Sequence, residues 1–318
     1  MKLKERFFNR MKLKNYSDVT AKNYWKWIVY FIRFNNTQPP EMLTDKINDY
    51  LTHLAVIRKL APKSIRVAGC AIIFLYRKVL DMEIPYINLP RPSNRKLPVI
   101  LSRDETFRLI NALQGVDRLQ AELMYACGLR VGEVCKLRVK DIDFENDQIV
   151  VDNGKGQKDR IVNLPDSLIA KLHHHIKKVE LLYTEDLNNK SFDGVGLPDP
   201  IKNKYPSFAK SLGWQFMFPS QILSNGVRWH RSPSSIQRAM QIACKKIKLN
   251  KTVSCHTLRH SFATHLIHYG HNIRVVQELL GHKSLRTTQI YLHINDNDKR
   301  EIDDLLGGRN NNVIKLVS

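Results

Sequence analysis

Four side chains able to handle an anionic substrate lie within 36 residues of one another: His256, Arg259, His282 and Tyr291. A guanidinium presents a planar fork that grips phosphate or carboxylate with two parallel hydrogen bonds. An imidazole moves protons near neutral pH, and a tyrosine hydroxyl is an oxygen nucleophile. Any one His or Tyr in such a stretch is ordinarily a core or surface residue, so only the set points to chemistry. Cys255 beside His256 raises the question of a thiol nucleophile, but nothing else in the chain forms an acyl-transfer site. The five cysteines are odd in number and form no C-x-x-C pair. They are expected to be buried or incidental thiols of a reducing cytosol.

The elements that must position this set follow from spacing. His256 and Arg259, three apart, leave one face of a helix, while Leu258, Phe262, Leu266 and Ile267 anchor another. A second helix, roughly Ile273 to Leu280, stops at Gly281, the residue type expected just past a helix end. His282 follows at once, and Tyr291 comes nine residues later. Upstream, Ser102 to Glu105 form a capping box before a helix over 106–113, and another helix follows over about 118–127. In C-G-L-R-V-G-E-V-C (127–135), Gly128 lets the chain turn and Arg130 stands where a helix starts. Glu133 lies one turn on, within reach to orient a neighbour. Short strands are expected at 141–145, 148–152 and 160–164, the last two joined by a tight hairpin with Lys155 at its tip. His173, His174 and His175 fall in a helix over 168–182. Adjacent residues on a helix diverge, so these three read as surface histidines rather than a metal set.

The chain of 318 residues is long enough for two cores, and its net charge of +21 implies a polyanionic partner. No apolar run is long enough to span a bilayer and no signal-peptide core opens the sequence, which leaves nucleic acid and a cytoplasmic location. Residues 1–98 hold 19 Lys and Arg against 7 Asp and Glu, more than half of the excess. This part reads as helical to about residue 87: a helix over 19–36, a short one from Thr44 through Ile57, and a third over 63–80 after Pro62. Lys22, Lys26, Arg33, Lys63 and Arg66 are candidates to clamp a phosphate backbone, a contact that sets affinity and register without reading sequence. The strip L-P-R-P-S-N-R-K-L-P (89–98) reads as a linker between domains over 1–88 and 99–318.

The order H-x-x-R, L-G-H, I-Y at 256–291, with the G-L-R-x-G-E box at 128–133 and the G-K-G hairpin at 154–156, resembles the tyrosine recombinases, enzymes of site-specific DNA strand exchange that include phage integrases and Xer proteins. The resemblance implies a mainly α fold with a small β-sheet: an N-terminal helical DNA-clamp domain followed by an α/β catalytic domain. It also implies that Tyr291 forms a 3′-phosphotyrosyl link and releases a 5′-hydroxyl, and that Arg130 and Arg259 stabilise charge on the transition state. In the same pattern Lys155 is the general acid, His256 assists proton transfer, His282 hydrogen-bonds a phosphate oxygen and Glu133 holds the site in shape. The family usually has Ser where Gly132 stands. No acidic cluster is present to hold Mg²⁺, and the covalent intermediate conserves the energy of the broken bond, so neither metal nor other cofactor is expected.

Between about 183 and 231 the chain departs from the simple plan with an aromatic, basic stretch expected to be irregular. Its G-V-G-L-P, K-Y-P and W-Q-F-M-F-P-S segments resemble the extra segment of integron integrases. That resemblance implies recombination of gene cassettes between folded single-stranded sites and a double-stranded attachment site. Trp214 would stack on a base protruding from the folded strand, with Trp229 and His230 behind it. The family typically has R-R-H-H where this chain reads R-W-H-R (228–231). The resemblance also implies a homotetramer on two DNAs, formed from protomers that are monomeric when free, with the tail over 295–318 docking on a neighbour. A Xer-like or phage-type enzyme on ordinary duplex sites is the alternative. A DNA-binding protein with a silent site is disfavoured because the catalytic set is intact.

Overall fold

The computed structural model describes residues 2–36, 44–91, 97–152 and 159–294. The chain divides between Lys96 and Leu97 into two compact units. The described residues are mainly helical with two small sheets.

The first unit holds α1 (Leu3–Leu13), α2 (Asp18–Asn35), α3 (Thr44–Val56) and α4 (Pro62–Phe74), the last running on through one π-helical stretch, Leu75–Val79. Helix α1 was not distinguished by sequence pattern alone. It buries only Phe7 and Met11, so its apolar stripe is narrow. Ser17 caps α2 by accepting from the Thr20 amide, and Pro62 opens α4, where its missing N–H costs nothing. Ile28 and Phe31 of α2 and Ile65, Ala68, Ile72, Leu75 and Tyr76 of the α4 stretch are buried. Lys22, Lys26, Arg33, Lys63 and Arg66 are exposed on α2 and α4.

The second unit opens with α5 (Arg103–Ala112), capped by Ser102 and Glu105 in a reciprocal box at 3.1 and 2.8 Å. Helices α6 (Gly115–Ala126) and α7 (Val131–Lys136) follow. The strands β1 (Ile142–Asp143), β2 (Gln148–Val151) and β3 (Arg160–Asn163) form an antiparallel meander in the order β1-β2-β3, with Ile149 opposite Val162. The β1 strand is shorter than expected because Asp143 turns the chain, its carboxylate accepting the amides of Glu145 and Asn146. The hairpin residues 153–158, with Lys155, lie outside the described residues, as does the tail over 295–318.

Helix α8 (Asp166–Asn188) runs beyond the expected 168–182 into the aromatic stretch. There Asp186, 4% exposed, receives the guanidinium of Arg228 through both carboxylate oxygens. That ion pair sits beside the parallel pairing of β4 (Gly194–Val195) with β5 (Val227–Arg228) and closes the insertion at its base. Between them come α9 (Asp199–Lys204) and two 3-10 turns. The insertion is tied to the domain by Met217 N donating to Leu137 O at 2.7 Å and Val139 N to Gln215 O at 3.0 Å. The expectation that His173, His174 and His175 are surface residues fails for His175. It is 9% exposed, stacked on Phe218, and bonded to the Met217 carbonyl at 2.7 Å. The insertion covers that turn of α8, a contact with no local signal.

Helices α10 (Pro233–Lys246), α11 (Cys255–His268), α12 (Ile273–Leu280) and α13 (Leu285–Thr288), then a 3-10 segment Gln289–Ile294, are the last elements among the described residues. Because Asp186 and Arg228 are both buried, Asp186→Ala leaves an unpaired guanidinium inside the protein. It is expected to lower the stability of the second unit by about 3–5 kcal/mol, read as a shift of the urea midpoint.

Candidate active site

Two glycines let the site's elements approach. Gly128, at φ +62°, turns the chain from α6 into α7, and a Cβ there would fall 2.5 Å from the Phe262 ring of α11. Gly281, at φ +60°, ends α12, and a Cβ there would lie 2.9 Å from Arg160 Cδ. Both positions are left-handed and have no room for a side chain.

Arg130 is the N-cap of α7. Its amide donates to Glu133 Oε2 at 2.8 Å and its guanidinium to Oε1 at 2.6 Å. Arg160, the first residue of β3, grips the same carboxylate with two bonds of 2.9 and 2.7 Å, and its Nε donates to Leu279 O at 2.9 Å. Arg259, 3% exposed, donates to the carbonyls of Gly128 and Leu280. One of its nitrogens lies 3.8 Å from Glu133 Oε2. Three guanidiniums therefore share one carboxylate. Burial pushes the Glu133 carboxyl up, but hydrogen bonds from Arg160 and Arg130 outweigh it and hold it at about 2. Burial, then repulsion from Arg130, brings Arg259 down to about 9. The cluster retains unneutralised positive charge, the electrostatic condition for binding an anion.

The histidines surround this cation. His256, at the second position of α11, is lowered by burial and by Arg259 and Arg130. His282 is lowered to about 4 by burial, Arg259 and Arg130. Its Nδ1 is 3.0 Å from Thr288 Oγ1, and Gln277 Nε2 donates to its carbonyl at 2.9 Å. Tyr291 is 1% exposed, and its hydroxyl lies 2.7 Å from Nδ1 of His260. Burial raises the Tyr291 hydroxyl, opposed by Arg259 and Arg130. The structure thus gathers Arg130, Glu133, His256, Arg259, His282 and Tyr291 in one place, with Lys155 outside the described residues. Sequence reasoning passed over Arg160 and His260. His260 carried a usable signal, since it follows His256 by one helical turn, whereas Arg160 reaches Glu133 only through the tertiary fold. Burial pushes the Cys255 thiol up to about 12, so it is no thiolate nucleophile.

The insertion aromatics form a separate group. Trp214 stacks on Phe208 at 5.4 Å, and Phe208 on Tyr205 at 5.1 Å. The cations of Lys140 and Arg138 lie 4.7 and 5.1 Å from the Trp214 ring. Trp214 therefore already has packing partners within its own unit. Trp229 lies against Gly196 yet is 47% exposed, and His230 packs edge-on to Phe216.

An arginine-rich anion site with a buried tyrosine beside it, on a helical frame with a small meander, fits an enzyme acting on phosphodiesters, and comparison with known proteins gives the class: enzymes that cleave and rejoin DNA. Residues 99–298 match the model of the phage integrase family and residues 3–86 that of the phage integrase N-terminal SAM-like domain. An integrase/recombinase of Escherichia coli is 38% identical over 304 residues, covering 92% of this chain and 90% of that one. The tyrosine recombinase XerA of Pyrococcus horikoshii is 30% identical over 320 residues, covering 96% and 95%. Among solved structures, the post-cleavage complex of XerH recombinase with palindromic difH substrate shares the fold, with a TM-score of 0.62, 21% identity, and coverage of 94% and 83%. The chain belongs to the phage integrase family: it is a tyrosine recombinase, which cleaves and rejoins DNA.

The depressed histidines set a pH dependence. His260 and His282 sit near 4 in the folded protein against an ordinary 6.5. Below pH 6.5 the unfolded chain takes up these protons and the folded chain does not, so their contribution is full above 6.5 and lost as pH falls towards 4. Glu133, lowered from 4.5 to about 2, acts in a lower window, its contribution lost only below 4.5. The urea midpoint of the second unit is expected to be lower at pH 5 than at pH 7.5; equal midpoints would contradict these assignments.

Proposed function

We propose that this recombinase integrates and excises gene cassettes, acting on folded single-stranded cassette sites and a double-stranded attachment site. Tyr291 is the nucleophile in this reading: its oxygen bonds to phosphorus as its proton passes to a neutral imidazole of the site, the P–O5′ bond breaks, and a 3′-phosphotyrosyl link remains. Arg130 and Arg259 hold the non-bridging oxygens and stabilise charge as it develops. Lys155 protonates the leaving 5′ oxygen, His256 assists proton transfer, and His282 donates to a phosphate oxygen. Glu133 keeps the arginines in register. The basic helices α2 and α4, through Lys22, Lys26, Arg33, Lys63 and Arg66, clamp the DNA backbone. Four protomers synapse two sites, and the free protein is a monomer.

The observation that carries the cassette reading is the insertion, built on its own ion pair and strand pairing and presenting aromatic rings with cations beside them. Tyr205 and Trp229 are 41% and 47% exposed, and Lys204 lies 5.1 Å from the Tyr205 ring. Such rings accept an unpaired base of any identity. Given the packing of Trp214, Trp229 is the ring to receive the base, with Trp214 and His230 supporting the surface around it. The second reading, a Xer-like enzyme on duplex sites, is favoured by the likeness to XerA over nearly the whole chain.

Suicide substrates made from each strand of a cassette-site hairpin, with matched duplexes, separate the two. Covalent trapping mainly on one folded strand is expected, and equal trapping on duplex would move the assignment to the Xer-like reading. Trp229→Ala is expected to weaken binding of the folded strand about 5- to 100-fold, the equivalent of one lost stacking contact, and to leave duplex binding unchanged.

A further inference from the structure

His260 is the one titratable side chain in direct contact with the Tyr291 hydroxyl in the described structure, and neither the family's motif roles nor the arginine cluster accounts for it. It lies on α11, one residue after Arg259 and one turn after His256, with ring centroids of His256 and His260 6.3 Å apart. The Tyr291 ring faces it from the 3-10 segment at 5.6 Å between centroids. The charged and titratable groups around it are His256 and Arg259 on its own helix, and Tyr291 and His282 from the elements packed against that helix.

We infer that His260 is a positioning residue for the cleavage reaction: its Nδ1 accepts the Tyr291 hydroxyl proton in a hydrogen bond that fixes the nucleophile inside its own catalytic unit. The inference rests on the reading of Tyr291 as nucleophile. Burial first, then His256 and Arg259, bring the His260 pKa down to about 4, so the ring is neutral at physiological pH. A neutral imidazole with its lone pair on Nδ1 can only accept there, and the hydroxyl donates. With its proton committed to His260, the oxygen keeps its lone pairs on the remaining sides, free for an approaching phosphorus. The bond also fixes the tyrosine against rotation about its side-chain torsions before DNA arrives. Holding reacting atoms within an ångström of their attack geometry is worth orders of magnitude in rate.

The test is single-turnover cleavage of a suicide substrate by the full chain at saturating DNA. His260→Ala is expected to cleave about 10- to 100-fold more slowly with unchanged DNA affinity. In His260→Asn the amide oxygen lies near the place of Nδ1 and accepts the same hydroxyl, so its rate is expected to recover to within about threefold of wild type. A substrate with sulfur at the bridging 5′ position separates the two ends of the reaction, because a thiolate leaves without a proton. Lys155→Ala is expected to recover on it, and His260→Ala to stay slow. Wild-type cleavage by His260→Ala, an Asn variant as slow as Ala, or rescue of His260→Ala by the sulfur substrate would each overturn the inference. A covalent adduct formed by Tyr291→Phe would overturn the nucleophile reading and this inference together. No adduct from Tyr291→Phe, with His260 variants at wild-type speed, would overturn this inference alone.

Discussion

The carboxylate of Glu133 is the point on which the active site depends. Arg130, Arg160 and Arg259 converge on it from α7, β3 and α11. Without that negative charge, guanidiniums held close together in a buried site would repel one another, and Arg160 and Arg259 have little access to water. One carboxylate against three cations makes the assembly possible without neutralising it. The residual positive charge is what a phosphodiester would meet. The same arginines act on the histidines, discouraging their protonation. An incoming phosphate would offset that repulsion and raise their proton affinity on binding.

Backbone carbonyls complete the arrangement. Arg259 is held by the carbonyls of Gly128 and Leu280, and Arg160 by that of Leu279. Each of these carbonyls belongs to a helix end or the turn beside it, where such groups lack an intrahelical partner. The two arginines therefore satisfy the end of α12 and the turn after α6 while being aimed by them. Gly128 and Gly281 allow the close approach. The positions of these arginines are thus properties of helix termini and turns: a side chain at Gly128 would press on Phe262, and one at Gly281 on Arg160 itself.

What the sequence made legible was local. The bounds of α12, Ile273–Leu280, agree with those read from its pattern and terminating glycine, and the capping box at Ser102 is present. The separation of His256 and Arg259 placed both on one helix face, and the arginine–glutamate spacing at 130–133 became a hydrogen-bonded pair. The gaps are long-range. Arg160 meets the Leu279 carbonyl across 119 positions, and nothing near it in the sequence marks that partner. His175 looked like a surface residue because its burial comes from the insertion folding back over α8. Trp214 looked like a free aromatic because its cation partners, Arg138 and Lys140, precede it by some 75 residues. Local pattern carries capping and periodicity, whereas charge convergence and the covering of one element by another appear only once the chain is folded.

The most direct measurement is to trap the covalent DNA–protein adduct, digest it with nuclease and protease, and locate the nucleotide-bearing residue by tandem mass spectrometry. The site described here predicts a single 3′-phosphonucleotide on the oxygen of Tyr291. A nucleotide on any other side chain, or cleavage with no covalent adduct, would contradict the account.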